Sequence, residues 1–470
     1  MGRMQNKSYG FLATLTLSLA FVLFALSILL MLKGIATPVN TDYAEAYSYF
    51  ISVQNLYKNF NTFPFLISYY PPLYHVLFDA FRPLFANAAP YVYDRILNLA
   101  AATADAILLY VLCRRSFAYS RYSSLLALFV FAGSFMFNIS IFNLPLFELA
   151  FDLLAVILLF SKLRGAHVYA ALSLAVAFLF RQSAIVLAPG IFLYLFLNGE
   201  KRKGIAFLAA FIVAAAVPAL LLNAATNGRY VFSVFVLPFI TPFILPWLLP
   251  LLLYFLFIAP SLALLMIYFY SVYSGKRSPL FWVVVFCLLS VFSAGKWGAT
   301  NVYFLVPFAF LCAASAPFVE SLLTSSIATK FKTSTSSILF LIVVYSLGVP
   351  ILFSANGLFQ TQSSTATQVG LTLRNFSGNV LVESPVIALA ANKPLEFDFT
   401  LFWTMEEHGV WNESVLVARV NSHGYSAIVF PANYYRLSLY PQLISAIQNS
   451  YQLDYTVDTW QVYVPKNATK

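Results

Sequence analysis

The chain alternates long apolar stretches with short polar breaks over its first three quarters. Apolar runs of about 18 residues or more, the length typical of membrane-crossing helices, recur from Phe11 to about Ala355. The first run, Phe11 to Leu32, has a basic flank. It is longer than a typical signal-peptide core and lacks a clear small-residue cleavage site, so we interpret it as an uncleaved anchor. The pattern predicts an α-helical polytopic membrane protein.

The pattern changes after residue 355. Residues 356–470 carry shorter alternating runs punctuated by Gly, Asn and Ser. Strands are predicted at NVLVESP (379–385), YSAIVFP (425–431) and WQVYVP (460–465), with IALAAN, ESVLVARVN and YPQLISAIQNS as helices between them. We therefore predict two domains, a transmembrane domain over 1–355 and an extracytoplasmic α/β domain over 356–470.

Composition and charge agree with a membrane protein. Hydrophobic residues make up 61% of the chain and charged residues only 9%, whereas charged residues are about a quarter of a soluble domain. The net charge of +10 is spread over short clusters between apolar runs, which is the positive-inside pattern and not a nucleic-acid surface. It predicts about eleven spans in the plasma membrane, with a cytoplasmic amino terminus and an outer carboxyl terminus.

The first outer loop, residues 34–91, contains the stretch TDYAEAY with two carboxylates, Asp42 and Glu45. The pair has two explanations. Asp42 as N-cap with Glu45 three residues on would form a capping box. Alternatively, the two carboxylates take part in catalysis. A helical interpretation of residues 42–60 supports this, because it puts both acids on one polar face opposite an apolar stripe. That amphipathic pattern predicts a helix on the membrane surface.

Other ionisable or polar side chains border the predicted spans on the outer side. A charge near the hydrocarbon core is costly unless it is paired or faces an aqueous cavity, so these residues are candidates for function. They could equally reach lipid headgroups or form structural ion pairs, with Asp105, Glu148 or Asp152 as neighbours of the cations. The set comprises Arg95, Glu148, Asp152, Arg181, Gln182, Arg229 and Lys296.

Cations opposite two acids suit a reaction that expels a phosphate, because cations stabilise the leaving anion and a carboxylate takes the proton from an attacking hydroxyl. His75, in YYPPLYHVLF, is interpreted first as an aromatic packing residue beside a Pro-Pro bend. No metal-binding motif is present in the sequence.

Several segments, in this order, resemble the polytopic GT-C glycosyltransferases, the superfamily that includes protein mannosyltransferases and the lipid A aminoarabinose transferase. The similarity is to the bacterial and archaeal branch and runs through nearly the whole chain. It rests on DYAEA (42–46), YYPPLYHVLF (69–78), AFDLLAV (150–156), FRQSAIVLAPG (180–190), SAGKWGATNVYFLVPFAF (293–310) and the tail segments NVLVESPVIALAANKPLEFDFT and HGVWNESVLVARVNSHGYSAIVF.

The sequence departs from the branch at four places. Ala44 replaces a glycine. In the segment 293–310, which we call the late motif, Val302 and Val306 replace an Asn and a Glu. Tyr70 stands where some relatives have a Lys before Pro-Pro. The donor phosphate would therefore depend on Arg181, Lys296 or Arg95.

The resemblance implies a membrane glycosyltransferase with an inverting mechanism. It would move a hexose-type sugar from a polyprenyl or dolichyl phosphate to a protein or lipid-linked glycan acceptor on the outer face. The implied roles are Asp42 as general base with Glu45 assisting; Arg181, Lys296, Arg95, Gln182 and Tyr70 at the donor phosphate and lipid; and Tyr69, His75, Asp152 and Glu148 in the substrate cavity. No cofactor is expected, and a requirement for a divalent metal is left open.

A transporter or flippase of lipid-linked sugars, or a non-catalytic scaffold with the same fold, is the competing interpretation. A transporter should place its charges near the membrane midplane and often shows repeated halves. Here the acidic pair follows the first span, and no internal repeat is visible in the sequence. The sequence therefore favours the enzyme.

Overall fold

A computed structural model of the chain describes residues 11–36, 46–47, 49–51, 57, 62–85, 90–135, 143–253, 255–256, 261–273, 280–297, 299, 301–324, 365–433 and 436–466. These residues belong to two compact units. The helical unit takes its residues from Met1–Ala36, Arg95–Pro218 and Pro242–Phe359. The mixed unit takes its residues from Thr37–Asp94, Ala219–Thr241 and Gln360–Lys470. The predicted boundary between residues 355 and 356 remains a prediction.

Helices, most of them long, make up most of the described residues in the first three quarters of the chain, as the apolar pattern predicts. They are α1 Phe11–Ala36, α2 Leu73–Phe81, α3 Pro90–Val111, α4 Arg121–Phe135, α5 Asn143–Leu159, α6 Ala166–Phe180, α7 Leu187–Leu197, α8 Lys201–Ala225, α9 Arg229–Val231, α10 Leu237–Ile240, α11 Leu245–Leu253, α12 Ser261–Tyr273, α13 Phe281–Ser290 and α14 Leu305–Thr324. Short 3₁₀ segments at Gln182–Val186, Val291–Gly295 and Asn301–Phe304 interrupt or join them.

Two helical stretches of the described chain, Val92–Ser116 and Lys201–Ala225, are long and apolar enough to cross a membrane. Seven further apolar helices are shorter, at 10 to 17 residues. The helical fold class is therefore confirmed, whereas the count of about eleven spans stays a prediction.

Small residues allow close packing in the helical unit. A Cβ atom added at Gly190 in α7 would lie 2.9 Å from the backbone oxygen of Trp282 in α13, so only glycine permits this approach. Ala309, Ala313 and Ala314 of α14 are fully buried in the same core. Close backbone contacts of this kind are how helices associate where burial from water supplies little driving force.

The last part of the chain forms a four-stranded sheet with helices, which we call the sheet domain (residues 365–466). Its strands are β1 Val380–Val382, β2 Ala427–Pro431, β3 Tyr451–Val457 and β4 Trp460–Pro465, in the order β1-β2-β4-β3. β1 pairs parallel with β2, and the other pairs are antiparallel. The helices are α15 Thr365–Leu373, α16 Pro385–Ala391, α17 Phe399–Glu407, α18 Ser414–Asn421 and α19 Pro441–Ser450.

All three predicted strands and all three predicted helices of the sheet domain are present. The sequence prediction missed β3, α15 and α17. β3 is an edge strand with mostly exposed side chains, so it lacks the apolar signature of a buried strand. α17 begins at an N-cap that is visible in the sequence, because the Asp398 carboxylate accepts hydrogen bonds from the backbone N–H groups of Thr400 and Leu401.

From residue 46 onward, the described part of the first outer loop belongs to the mixed unit. Residues 46, 47 and 49–51 are helical, and α2 begins directly after Pro71 and Pro72, as the Pro-Pro bend predicts. Tyr57 has a left-handed φ of 55°, so the predicted regular helix does not continue to Phe60.

The apolar stripe of the first loop was interpreted as facing the membrane surface, and this is corrected in the structure. Tyr47, Phe50 and Ile51 are buried in a protein core together with Val380 and Val429 of the sheet domain. Amphipathicity specifies that one helix face is buried, but it does not specify which surface, lipid or protein, covers that face.

Candidate functional site

Arg181 occupies the junction between α6 and the 3₁₀ segment Gln182–Val186. Its backbone is extended, with φ −155° and ψ 131°, while its N–H still donates to the Ala177 carbonyl at 2.9 Å. The extended residue ends α6 and turns the chain. The side chain is buried, with 2% of the residue exposed, although arginine is almost never fully buried without a partner.

The partner of Arg181 is Glu148, in the second turn of α5. Arg181 Nη1 lies 3.2 Å from Glu148 Oε2, and the hydroxyl of Ser183 donates to Glu148 Oε1 at 2.6 Å. The guanidinium carbon of Arg181 also lies 4.2 Å from the centroid of the Tyr303 ring, a cation–π contact. The ion pair, the hydroxyl and the ring together hold the guanidinium in one place.

Two more acids are buried in the helical unit. Asp152 lies one turn after Glu148 on α5 and interacts electrostatically with Glu148, Asp105 of α3 and Arg181. Within the described part of the chain, the carboxylate oxygens of Asp105 and Asp152 have no hydrogen-bond partner. The cluster therefore contains three carboxyl groups, Glu148, Asp152 and Asp105, around the one guanidinium of Arg181.

Lys296 lies in a tight turn that is fixed by its backbone. Residue 296 forms an isolated antiparallel bridge with Phe243, in which the Ile244 N–H donates to the Gly295 carbonyl at 2.8 Å and the Trp297 N–H donates to the Pro242 carbonyl at 3.0 Å. A Cβ atom at position 295 would come within 2.3 Å of the Phe243 ring. Glycine at 295 therefore lets residues 242–244 lie directly on the turn that carries Lys296.

The predicted cavity residues Tyr69 and His75 belong to the mixed unit. The rings of Tyr69 and Tyr70 are in contact, with centroids 4.2 Å apart, and the Tyr57 hydroxyl donates to the Tyr70 carbonyl at 2.6 Å. His75 Nε2 lies 3.2 Å from the hydroxyl oxygen of Ser68, which also accepts from the Tyr70 N–H. These bonds fix the backbone just before the Pro-Pro bend.

Burial lowers the pKa of His75 to about 3. The unfolded chain binds a proton at this residue below about pH 6.5, whereas the folded chain does not until about pH 3. Stability is therefore expected to fall as the pH decreases from 6.5 towards 3, by up to about 1.4 kcal/mol per pH unit through this group. Thermal unfolding of the purified chain against pH should show a weaker acid dependence for His75→Gln.

The matched control for this experiment is His423→Gln, because His423 is exposed. It should leave the acid dependence of the wild-type chain unchanged. Parallel stability curves for His75→Gln and the wild-type chain would contradict the assignment of the acid sensitivity to His75.

The structure brings some of the predicted site residues together. Arg181, Glu148 and Asp152 form one cluster in the helical unit, with Gln182 next to Arg181 in the chain. Tyr69, Tyr70 and His75 lie together in the mixed unit. Arg95 is buried near the start of α3. Asp42 and Glu45 lie outside the described residues, so their catalytic roles stay predictions.

Two contributors to the Arg181 cluster were missed from the sequence, Ser183 and Tyr303. Ser183 stands in the quoted FRQSAIVLAPG segment and Tyr303 in the late motif, so both were inside recognised segments without being singled out. Across the residues that the structure describes, no group of three or more His, Cys, Asp or Glu side chains is arranged to hold a metal ion.

The order of these helices and the attached small sheet define the class of fold. The chain shares its fold with solved structures of GT-C glycosyltransferases, so the resemblance found in the sequence is confirmed at the level of the fold. No protein-family model matches the chain. No curated protein sequence matches it either.

Individual solved structures share this fold. ArnT from Cupriavidus metallidurans, an aminoarabinose transferase, in the apo state is similar with a TM-score of 0.63 and 13% identity, covering 96% of this chain and 97% of ArnT. The apo oligosaccharyltransferase of Archaeoglobus fulgidus gives a TM-score of 0.59 at 12% identity, covering 96% of this chain and 74% of the other. AglB of the same organism, in complex with an inhibitory peptide and a dolichol-phosphate, gives 0.55 at 13% identity, covering 97% and 75%.

Proposed function

We propose that this chain is a membrane glycosyltransferase that moves a hexose-type sugar from a polyprenyl or dolichyl phosphate to an acceptor on the outer face of the membrane. The acceptor is a protein or a lipid-linked glycan, and the anomeric configuration of the sugar is inverted. The observation that carries the proposal is the shared fold with ArnT over nearly the full length of both chains. The AglB complex supports the donor class, because that protein is seen with a dolichol-phosphate.

The proposed chemistry assigns Asp42 as the base that deprotonates the acceptor, with Glu45 assisting it. Arg181 and Lys296 stabilise the departing lipid phosphate, and Arg95, Gln182 and Tyr70 lie at the donor phosphate and lipid. The held position of Arg181 supports this role, because a cation that is fixed before the reaction needs no reorganisation as charge develops. The phosphate is already a good leaving anion, so no acid is needed to protonate it.

The proposed topology places about eleven spans in the plasma membrane, with the amino terminus in the cytoplasm and the sheet domain outside. The two long apolar helices of the described chain support a membrane location. The first outer loop, residues 34–91, and the sheet domain are then on the side where the sugar is transferred.

The test is sugar transfer by the purified chain reconstituted in lipid vesicles. The donor is a polyprenyl phosphate carrying a radiolabelled hexose, and membranes of a strain lacking the gene supply the acceptor. Label is expected to leave the organic-solvent fraction and to appear on a protein or glycan. Label that stays on the lipid but crosses to the other leaflet would contradict the proposal and indicate a flippase.

A further inference from the structure

The first outer loop is joined to the sheet domain by backbone hydrogen bonds. The Phe65 N–H donates to the Glu396 carbonyl at 2.7 Å, and the Asp398 N–H donates to the Phe65 carbonyl at 3.0 Å. Residues 65 and 397 thereby form a parallel bridge. A segment more than 300 positions earlier in the chain thus pairs directly with the strand-like stretch before α17.

The Phe65 side chain anchors the same junction. Its ring centroid lies 5.5 Å from that of Phe402, 5.5 Å from that of Trp411 and 6.2 Å from that of Phe397. Phe65 is 1% exposed. Burial of a Phe side chain and its edge-to-face pairing with other rings are both stabilising, so this contact is a strong attachment point.

Arg419 of α18 reinforces the attachment from the other side of Glu396. Its Nη2 lies 3.1 Å from Glu396 Oε2, and its guanidinium carbon lies 4.0 Å from the centroid of the Phe63 ring. The arginine therefore contacts both the sheet domain and the first loop. A planar guanidinium is suited to pairing with a carboxylate while it stacks on a ring.

A second connection starts from Tyr47, in the described helical residues of the loop. Its hydroxyl donates to the Ile67 carbonyl at 3.0 Å and also interacts with the Asp398 side chain. Asp398 in turn caps α17 through the N–H groups of Thr400 and Leu401, at 2.9 Å each. Both Tyr47 and Asp398 are buried.

We propose that Tyr47 and Asp398 are positioning residues for sugar transfer, through which the sheet domain sets the place of the first outer loop. The proposal rests on the proposed function and deepens it. The Tyr47 ring packs in a core that it shares with the sheet domain, and its hydroxyl donates to the Ile67 carbonyl beside the α17 cap, so residues 46, 47 and 49–51 are held against the domain. The sheet domain acts in the reaction by holding this loop.

The test is Tyr47→Phe, which removes the hydroxyl and leaves the buried ring. The kcat for sugar transfer should fall by about 10- to 100-fold, because small displacements of reacting groups have effects of this size. The KM for the donor should stay unchanged. Hydrogen exchange of the backbone amides at residues 46–51 in the full chain should become faster.

The matched control is Tyr451→Phe. The Tyr451 hydroxyl is also buried, and it bonds both the N–H and the carbonyl of Tyr425 within the sheet domain, at 3.2 and 2.9 Å. It should lower the melting temperature about as much as Tyr47→Phe while leaving kcat and the exchange of residues 46–51 as they are.

Asp398→Asn is the second variant in this experiment. Asparagine can still cap α17, so the domain should fold. The kcat should fall and the exchange at residues 46–51 should become faster, as in Tyr47→Phe. Both effects should be smaller, because the amide oxygen of Asn can still accept a hydrogen bond from the Tyr47 hydroxyl but carries no charge.

The outcomes separate the two proposals. If the wild-type chain is active and Tyr47→Phe has the same kcat and the same hydrogen exchange as the wild-type chain, the positioning role alone is overturned. Equal losses of kcat in Tyr47→Phe and Tyr451→Phe would also overturn it, since they would reflect general destabilisation. A wild-type chain without transferase activity would overturn the proposed function, and the positioning role with it, even if the exchange at residues 46–51 responds.

Discussion

Asp42→Asn is expected to reduce sugar transfer from a labelled polyprenyl phosphate donor by about 10²- to 10⁴-fold, the usual contribution of a general base. The amide has nearly the size of the carboxylate but accepts no proton from the acceptor. The measurement is the initial rate of label transfer by purified, reconstituted protein. The melting temperature of the variant should match that of the wild-type chain.

The same substitution separates the two explanations of TDYAEAY. Asparagine is as good an N-cap as aspartate, so a purely capping Asp42 could be replaced by Asn without loss. Asp42→Asn thus preserves the cap and removes the base. Full activity in this variant would contradict the assignment of Asp42 as the base and leave the capping box as the role of Asp42 and Glu45.

The control for Asp42→Asn is Asp79→Asn in the same loop. Asp79 lies on α2 and is exposed, with a 3.8 Å ion pair to Arg82 whose side chain is also largely exposed. Surface pairs of this kind contribute about 0–1 kcal/mol, so neither activity nor stability should change measurably. Glu45→Gln should give an intermediate loss if Glu45 assists the base.

Arg181→Met is expected to destabilise the helical unit and to slow sugar transfer strongly. The substitution leaves Glu148 buried without its cation, and breaking a buried ion pair in this way costs about 3–5 kcal/mol. Loss of a cation at the leaving phosphate should reduce kcat by about 10²- to 10³-fold, the effect of removing one electrostatic stabiliser. Thermal unfolding in detergent and the transfer rate measure the two effects separately.

The double variant Arg181→Met/Glu148→Gln distinguishes structural from catalytic use of the pair. A neutral amide at position 148 leaves no unpaired charge and can still accept the hydrogen bond of Ser183, so most of the stability should return. Activity should not return if Arg181 holds the phosphate. A stable double variant with wild-type activity would show that the pair is only structural, the explanation left open by the sequence.

Several features of the fold were predictable because they depend on local pattern. The strands and helices first predicted in the sheet domain follow from runs of alternating or periodic apolar residues between turn residues. The start of α2 follows from Pro71 and Pro72, because the proline ring has a fixed φ and lacks an N–H. β3 escaped prediction because an exposed edge strand does not carry that pattern.

The candidate site was predictable only in its parts. Arg181 and Glu148 were both candidates because charges next to apolar spans are costly, and that cost also implied partners for them. Which acid would meet which cation was undetermined, since Asp105, Glu148 and Asp152 were equal choices by sequence position. The distances of Ser183 and Tyr303 to the pair arise from the packing of α5 with the 3₁₀ segments Gln182–Val186 and Asn301–Phe304, which no local pattern records.

The sequence by itself determined that this is a helical membrane protein with a small α/β domain at its end, because burial of apolar runs and turn chemistry are local properties of the chain. It also determined that one face of the first outer loop is buried. Only the tertiary structure decided that this face packs into the sheet domain, through Tyr47, Phe50 and Ile51, instead of onto the membrane surface. The physical reason is that hydrophobic burial is non-directional, so an apolar stripe specifies the need for a partner and long-range packing selects which one.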